Sequence, residues 1–220
     1  MMTTRFTSVL TLGALLVLTS GCNVSVNSSI KVADGETRRG GLTTVNGKIQ
    51  IGNDATVTGT SRTVNGSIRV GDDSAVESLE TVNGSIKIGA RTKADGDLKT
   101  VNGSVTCAEE SEVTGEISTI NGPIKLRQTV VHDSLATVNG NITLASGSTV
   151  DGDVAFKGTS KGNRKPRRLK LSLTDGSTIR GDVSIGDPDA ELEIEILGGS
   201  QIEGDIPEQA TIISDPIDLN

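Results

Sequence analysis

The sequence predicts an all-β protein: a single-stranded parallel β-helix, or solenoid, of about nine triangular coils of 18 or 19 residues. Three observations predict it: a repeat of that length, alternation of apolar and polar residues within each repeat, and a scarcity of aromatic residues. Among 220 residues there is no Trp or Tyr, and the two Phe residues are Phe6 and Phe156. We therefore expect a narrow core of Val, Ile and Leu, and a platform for stacking nucleotide or sugar rings is disfavoured.

The repeat is centred on an Asn that follows Val or Ile and, in all but the first unit, precedes Gly. The intervals between successive asparagines are 19, 19, 18, 19, 19 and 18 residues. An apolar side chain recurs three and five residues after each Asn, with polar residues between, which is typical of a short strand with one buried face. Units this short cannot bury an apolar stripe alone, so we expect them to stack. The asparagines are Asn27, Asn46, Asn65, Asn83, Asn102, Asn121 and Asn139.

The Asn-Gly pair is expected to form a corner of each coil. Asn tolerates the left-handed region and Gly enters it freely, so the pair can turn the chain sharply. Stacked coils would join the asparagines in an amide ladder, and Thr63, Thr81 and Thr100 in a hydroxyl ladder. The valine before each Asn is expected to face the core. An antiparallel sandwich with Asn-Gly hairpins is the main rival, but every unit repeats in the same direction and phase.

After Asn139 the pattern continues with longer excursions, at about 157–170 and 186–191. We expect the β-helix domain to span residues 22–206, a rod about 40 Å long at ~4.8 Å per coil. Residues 207–220, with Pro207 and Pro216, would form a C-terminal cap or tail that blocks the last exposed edge. Arg38 stands where later coils carry Val57 or Val113, so the first coil is expected to be irregular there.

Residues 1–21 have the pattern of a secretory signal peptide, with Arg5 before an apolar run from Val9 to Leu18. The segment Leu18-Thr19-Ser20-Gly21-Cys22 resembles the lipobox of bacterial lipoproteins. The resemblance implies cleavage before Cys22, diacylation of that cysteine, as by palmitate, and attachment to a membrane. Asn23 after the cysteine implies outer-membrane sorting in the bacterial envelope. With Cys22 acylated, Cys107 would have no disulfide partner, and we expect it to be buried.

The units Thr-Val-Asn-Gly-Ser-Ile at 63–68 and 81–86, followed by Val-Thr-Gly-Glu-Ile at 113–117, resemble two related groups. These are the bactofilin-type polymer-forming proteins and the adhesin-like β-helix lipoproteins of Gram-negative bacteria. The resemblance covers roughly residues 24–206 and implies a right-handed triangular β-helix that self-associates. The export signal, the lipidation site and the Pro-containing cap depart from the bactofilin pattern and argue against cytoplasmic filaments.

Charge is unevenly distributed along an acidic chain. The formal net charge is −7, which disfavours nucleic acid as a partner. A basic segment lies at 157–170, and in a stacked alignment Lys170 and Arg168 would lie over Glu193 and Glu191. The sequence leaves two interpretations open: neutralisation between coils, or binding of an anionic envelope glycan or lipid A phosphates. The residues of the second interpretation are Lys161, Arg164, Lys165, Arg167 and Arg168.

No catalytic site or cofactor is predicted. His132 is the only histidine, and we expect it in an exposed turn with no second acid or base beside it. A column of acidic residues at Gly-Asp corners invites comparison with Ca²⁺ sites, but it lacks the nonapeptide ligand pattern of calcium β-rolls, and no metal is expected. That column contains Asp97, Glu116, Asp153, Asp182 and Asp205.

Three functional hypotheses follow from these patterns. The first is a lipid-anchored structural or interaction module of the cell envelope that self-associates. The second is an adhesin-like module that binds an anionic glycan or lipid A. The third, an enzyme, ranks last, because no nucleophile, base and orienting residue can be assembled from the sequence.

Overall fold

A computed structural model describes residues 23–158 and 166–215. All 28 elements of regular structure in these two ranges are β-strands, arranged in three parallel sheets of nine, ten and nine strands. The chain passes through the three sheets in turn and returns to the first one coil further along. This architecture is a parallel β-solenoid of about nine coils, as the repeat predicts.

Sheets A, B and C form the three sides of the coil. Sheet A contains β1 (Asn23–Ser25), β4 (Leu42–Thr44), β7 (Ser61–Thr63), β10 (Leu79–Asn83), β13 (Leu98–Asn102), β16 (Ile117–Asn121), β19 (Leu135–Thr137), β22 (Val154–Phe156) and β25 (Val183–Ile185). Sheet B contains β2 (Ile30–Val32), β5 (Ile49–Ile51), β8 (Ile68–Val70), β11 (Ile86–Ile88), β14 (Val105–Cys107), β17 (Ile124–Arg127), β20 (Ile142–Ala145), β23 (Arg168–Leu173), β26 (Glu191–Ile196) and β28 (Thr211–Ser214). Sheet C contains β3 (Thr37–Arg39), β6 (Thr56–Thr58), β9 (Ala75–Val76), β12 (Lys93–Ala94), β15 (Glu112–Val113), β18 (Val130–Val131), β21 (Thr149–Val150), β24 (Thr178–Ile179) and β27 (Gln201–Ile202).

The register superposes equivalent residues of successive repeats. In sheet B, Ile30 pairs with Ile49 and Ile49 with Ile68, and in sheet A Leu79 pairs with Leu98. Like side chains therefore stack along the rod axis, and the interior is a set of aliphatic columns that are almost completely buried. This repetition explains why a chain with so few aromatic residues has a continuous core.

The expectation that the valine before each Asn faces the core is wrong. Val64 and Val82 are 41% and 40% exposed, and Ile120 is 44% exposed. The inward positions of sheet A are instead the residue four before each Asn, such as Leu98, and the threonine two before it, such as Thr100. Side chains alternate along a strand, so with Leu and Thr facing the core the valine must face solvent. The direction of its side chain is set by this alternation and not by its apolar character.

The corner motif uses its glycine for close approach and not for a left-handed turn, contrary to our expectation. None of the repeat asparagines, nor the glycine that follows each from Gly47 onward, has a positive φ. A Cβ on Gly84 would overlap the carbonyl oxygen of Gly66 in the preceding coil, and one on Gly103 would overlap that of Gly84. Glycine is required because the backbones of consecutive coils approach each other too closely at this corner to leave room for a Cβ.

The buried threonines of sheet A also differ from the expected hydroxyl ladder. Thr81 Oγ1 donates to the Gly66 carbonyl oxygen at 2.8 Å, and Thr100 Oγ1 donates to that of Gly84 at 2.8 Å. Each threonine hydroxyl therefore donates to a backbone carbonyl of the preceding coil and not to the hydroxyl of the next threonine. The O–H can rotate toward this carbonyl, which is the stronger acceptor. The threonine and the glycine of the motif thus act on the same group: the glycine lets the chain approach a carbonyl of the preceding coil closely, and the threonine hydroxyl donates to that carbonyl.

The corner between sheets B and C contains most of the left-handed residues among those described. Positive φ recurs there once per coil at non-glycine residues, including Asp54 (53°), Asp73 (57°) and Glu110 (58°). Beside this corner, small hydroxyl side chains point inward and bond to backbone groups, as Ser74 Oγ does to Gly52 O at 2.8 Å. Neither feature was predicted, although Ser or Thr recurs in the sequence at Ser74, Thr92, Ser111, Thr129 and Ser148.

The two ends of the rod differ in polarity. At the N-terminal end Arg38 pairs in register with the buried Val57 and bonds Glu36 at 2.5 Å, which is the irregularity expected of the first coil. At the C-terminal end β28 adds to β26 as a further strand of sheet B, and Ile212 and Ile213 are 52% and 43% exposed. Within the segment 207–215, the strand Thr211–Ser214 therefore extends sheet B, and residues 216–220 lie outside the described ranges.

Candidate functional surfaces

An exposed stripe of β-branched side chains runs along the edge of sheet A. We define the exposed stripe as Val45, Val64, Val82, Val101 and Ile120. Four of its members are between 39% and 44% exposed, and Val101 is half-buried. The stripe continues the stacking of the core on the outside of the coil, because each member precedes the repeat asparagine and occupies the same register. Five consecutive coils thus present one apolar residue each to solvent.

A groove of about 490 Å³ lies beside the exposed stripe. Its other wall is the outward column of sheet A, in which Arg62 Nε lies 2.9 Å from Glu80 Oε2. In the next coil Lys99 bonds Asp97 at 2.7 Å. The pKa of Asp97 is lowered, first by the hydrogen bond from Lys99, and that of Lys99 is raised by the same bond. The groove is therefore apolar on one side and charged on the other.

The repeat asparagines form a continuous amide ladder. Nδ2 of each Asn donates to Oδ1 of the Asn in the preceding coil, as from Asn83 to Asn65 at 2.9 Å and from Asn102 to Asn83 at 2.9 Å. Six such bonds of 2.8 to 2.9 Å join Asn27, Asn46, Asn65, Asn83, Asn102, Asn121 and Asn139. The ladder fixes the A–B corner against slippage, because a shift of one residue would break every bond in it.

Arg167 lies at the end of this ladder. Its Nη1 donates to Asn139 Oδ1 at 3.1 Å and to the Val138 carbonyl oxygen at 2.7 Å, and its guanidinium lies 2.9 Å from Asp187. The side chain is 24% exposed, and that of Asp187 is 8% exposed. In this position Arg167 supplies the donor that a further asparagine would provide and packs the base of the excursion against the coil.

The basic excursion is partly neutralised by the next coil. Arg168 pairs with Glu191 at 3.1 Å, and Lys170 contacts Glu193 at 3.0 Å and Glu195 at 2.5 Å, in the register that the alignment gave. The hydrogen bond between Lys170 and Glu195 raises the pKa of Lys170 and lowers that of Glu195. Lys161, Arg164 and Lys165, the other residues of the predicted anion site, lie outside the described residues.

His132 is less isolated than the sequence indicates. Its Nδ1 lies 2.8 Å from Asp151 Oδ2 and its Nε2 lies 3.2 Å from Glu112 Oε1, so carboxylates of both adjacent coils bracket the ring. These contacts, that with Asp151 first, raise the pKa of His132. The expectation that no second acid or base lies beside it is wrong. Glu112 and Asp151 are each about twenty residues away in the sequence, and they meet the ring only because the coils stack. The ring is an ion-pair partner on an exposed face.

The acidic column at the C–A corner bonds to the backbone. Oδ1 of Asp97, Asp153 and Asp182 each accepts the N–H one coil further on, at 3.0, 2.9 and 2.8 Å. An Asp that satisfies a backbone donor at each coil explains the Gly-Asp pattern, since a Cβ on the adjacent Gly would meet the carboxylate of the coil before. Among residues 23–158 and 166–215, no group of three or more metal-ligating side chains is assembled.

Of the two cysteines, only Cys107 lies in the part of the chain that the structure describes. Cys107 is a free thiol, fully buried in sheet B, where burial raises its pKa to about 12. It is therefore an unreactive core residue. Cys22, the predicted lipidation site, lies outside the described ranges. Within those ranges, no helix has the length and apolarity needed to cross a membrane.

Two surfaces of the rod were not predicted from the sequence. One is the exposed stripe, which strand alternation from the preceding leucine would have placed outside. The other is an outward column of sheet B, four residues after each repeat Asn, which contains basic residues in four of its first six positions: Lys31, Arg69, Lys87 and Lys125. Aligning that column in the sequence would have found it, but the basic segment at 157–170 has a higher local charge density.

Fold and surfaces together define a β-helix repeat protein whose outer columns carry separate apolar, amide, acidic and basic lines. No protein-family model, no curated protein and no solved structure matches the chain.

Proposed function

We propose that this chain is a non-catalytic interaction module of the bacterial cell envelope, a short rigid rod anchored by lipid at Cys22. In this proposal it associates side by side with a second copy. The observation that carries the proposal is the exposed stripe, because an unbroken line of β-branched residues on a regular rod is costly to leave in water.

The stripe is complementary to itself. Its members lie one coil apart, ~4.8 Å, so two stripes can interdigitate like the rows of a steric zipper. When two rods pair antiparallel about a two-fold axis, the outward column of one faces the same column of the other. Arg62 of each copy can then lie opposite Glu80 of the second copy, and the pairing satisfies charge as well as apolar contact.

The expected dimer is weak. The stripe spans four coil intervals, about 19 Å, so with its flanking column it covers a few hundred Å², which is below the ~800 Å² per partner of stable dimers. Association should therefore depend on concentration and be favoured where anchoring raises the local concentration of the rod.

Sedimentation of the mature, unacylated chain tests the association, with Val82→Glu as the variant and Val130→Glu as its matched control. Val82 is 40% exposed on the stripe and Val130 is 37% exposed on sheet C. An unpaired carboxylate in a desolvated contact is strongly unfavourable, so Val82→Glu should weaken dimerisation at least about tenfold. Val130→Glu should leave it within about twofold. A wild-type chain that stays monomeric at all concentrations, or equal loss in both variants, would contradict the proposal.

The anchor is tested separately by labelling with a palmitate analogue in a bacterial host. Cys22→Ala should abolish incorporation and release the protein from the membrane fraction, because no other residue offers the acylated thiol. Cys107→Ala is the control, and it should keep the label, since the Cys107 thiol is buried. Label retained in Cys22→Ala would remove the anchor from the proposal.

A further inference from the structure

The outward face of sheet B carries a line of basic side chains. We define the basic line as Lys31, Arg69, Lys87 and Lys125, which share the column four residues after the repeat Asn. All four are exposed, and Arg69 and Lys87 are direct register partners. Lys48 adds a fifth cation on the neighbouring outward column. From Lys31 to Lys125 the line spans five coil intervals, or about 24 Å.

No carboxylate offsets this line on its own face. The outward columns of sheet B contain no Asp or Glu from β2 to β20, and the first acids of these columns are Glu191, Glu193 and Glu195 in β26. Within the described residues, none of the five cations is in an ion pair. Most other Lys and Arg side chains there are paired, such as Arg91 with Asp73 and Arg127 with Glu109. In a chain of net charge −7, this separation creates a local positive potential.

The borders of the line restrict the shape of an anionic partner. The adjacent B–C corner carries an excess of carboxylates, with Asp54, Asp72 and Glu110 exposed along it, whereas Asp73 is paired there with Arg91. A flat anionic surface such as a membrane would meet these carboxylates together with the cations and be repelled by them. A linear polyanion can lie along the single column and avoid them, so the geometry favours a thread over a plane.

The hydroxyl groups beside the line favour a glycan. Ser67, Ser85 and Ser104 occupy the neighbouring column and are half-buried, and the Ser104 hydroxyl donates to Ser85 Oγ at 3.0 Å. The remaining donor and acceptor capacity of these hydroxyls is open to sugar hydroxyls and carboxylates. Trp and Tyr are absent from the whole chain, and Phe156 lies on sheet A, so the described residues of this face offer no ring on which a nucleobase would stack. The coil spacing is also close to the length of one sugar residue in an extended chain.

We propose that the outward face of sheet B, from Lys31 to Lys125, binds a linear anionic polysaccharide aligned with the rod axis. The cations contact its carboxylate, sulfate or phosphate groups along the column, and the serines of the adjacent column contact the sugar hydroxyls. This surface lies on a different sheet from the exposed stripe. It shares no residue with the basic excursion at 157–170, whose strand β23 continues sheet B further along the rod.

Binding of the mature, unacylated chain to alginate, a linear polymer of uronic acids, tests the proposal. The face variant changes Lys31, Arg69, Lys87 and Lys125 to Gln. The control variant changes Arg62, Arg91, Lys93 and Lys99 to Gln, four bases that are ion-paired outside sheet B. Both variants lose four positive charges, so non-specific attraction falls equally and only the position differs.

We expect the face variant to lose at least about tenfold in alginate affinity and the control less than about threefold. The dependence of wild-type affinity on salt should be steep and should flatten in the face variant, because fewer counterions are released. Equal losses in the two variants, or no wild-type binding to alginate, would overturn the proposal. Binding to anionic phospholipid vesicles but not to alginate would contradict a glycan partner and indicate a membrane. Self-association of the unliganded chain that is lost in the face variant would contradict it too and indicate a second copy.

Discussion

At the scale of single residues, His132 shows how stacking brings together groups that are distant in the chain. The ring nitrogens contact Asp151 and Glu112, which belong to the coils on either side. Both nitrogens can donate to a carboxylate only when the ring is protonated, and the raised pKa of His132 agrees with that state. His132 is 44% exposed, so solvent screens these contacts and their contribution to stability is small.

The stability conferred by His132 should depend on pH. Because its pKa is raised in the folded state above the ordinary value of 6.5, the stabilisation is fully present below that value and is lost as pH rises through the folded-state pKa. We expect His132→Gln to be a few tenths of a kcal/mol less stable than wild type at about pH 6, and equal to it at about pH 9. Denaturant unfolding at the two pH values measures the difference. A difference that does not change with pH would show that protonation of the ring is unimportant.

At the scale of the repeating element, three corners hold each coil to the next by different means. The A–B corner uses the Asn ladder, the B–C corner uses left-handed residues and inward hydroxyls, and the C–A corner uses Asp or Ser acceptors for backbone donors. The sequence predicted the position and ladder of the first corner but not the reason for its glycine. A contact between the backbones of two coils leaves no pattern in the sequence beyond the glycine itself.

A methyl group at the crowded corner should be much more harmful than one at a left-handed glycine. Gly84 has a negative or extended φ and faces the carbonyl oxygen of Gly66, whereas Gly176 has a φ of +76° and no neighbour that a Cβ would meet. We expect Gly84→Ala to cost about 2 to 3 kcal/mol, because the coils must separate. Gly176→Ala should cost about 1 kcal/mol through backbone strain. Thermal unfolding followed by circular dichroism compares them, and equal costs would contradict close approach as the role of the motif glycine.

At the scale of the whole molecule, each coil contacts its neighbours along the axis, so the rod is close to a one-dimensional stack. Its stability is then a sum over coils and the interfaces between them. Binding surfaces follow the same logic, because any residue repeated in register becomes a line on the outside of the rod. The exposed stripe and the basic line are two such lines on different sides.

Removal of one full coil should shorten the rod and preserve the fold. Deletion of residues 84–102 removes the 19 residues from Gly84 to Asn102 and joins Asn83 to Gly103, which restores the corner motif. At ~0.05–0.15 kcal/mol per residue, we expect a loss of about 1 to 3 kcal/mol with cooperative unfolding retained. Deletion of residues 84–92 is the control, and it should abolish cooperative unfolding because it removes β11 and breaks the register. A full-coil deletion that unfolds like the control would contradict the additive stack.

The sequence by itself determined the coil length, the parallel stacking, the Asn ladder and the pairing of Lys170 with Glu193, because these follow from equal spacing of like residues. Only the tertiary structure decided which side of the wall each residue occupies, as the exposed Val82 and the buried Thr100 show. It also decided which charges meet, as at His132, and which charges face solvent without a partner, as along the basic line. The physical reason is that a repeat fixes what lies above and below a residue, whereas the direction of its side chain and its neighbours across the face depend on the path of the backbone around the coil.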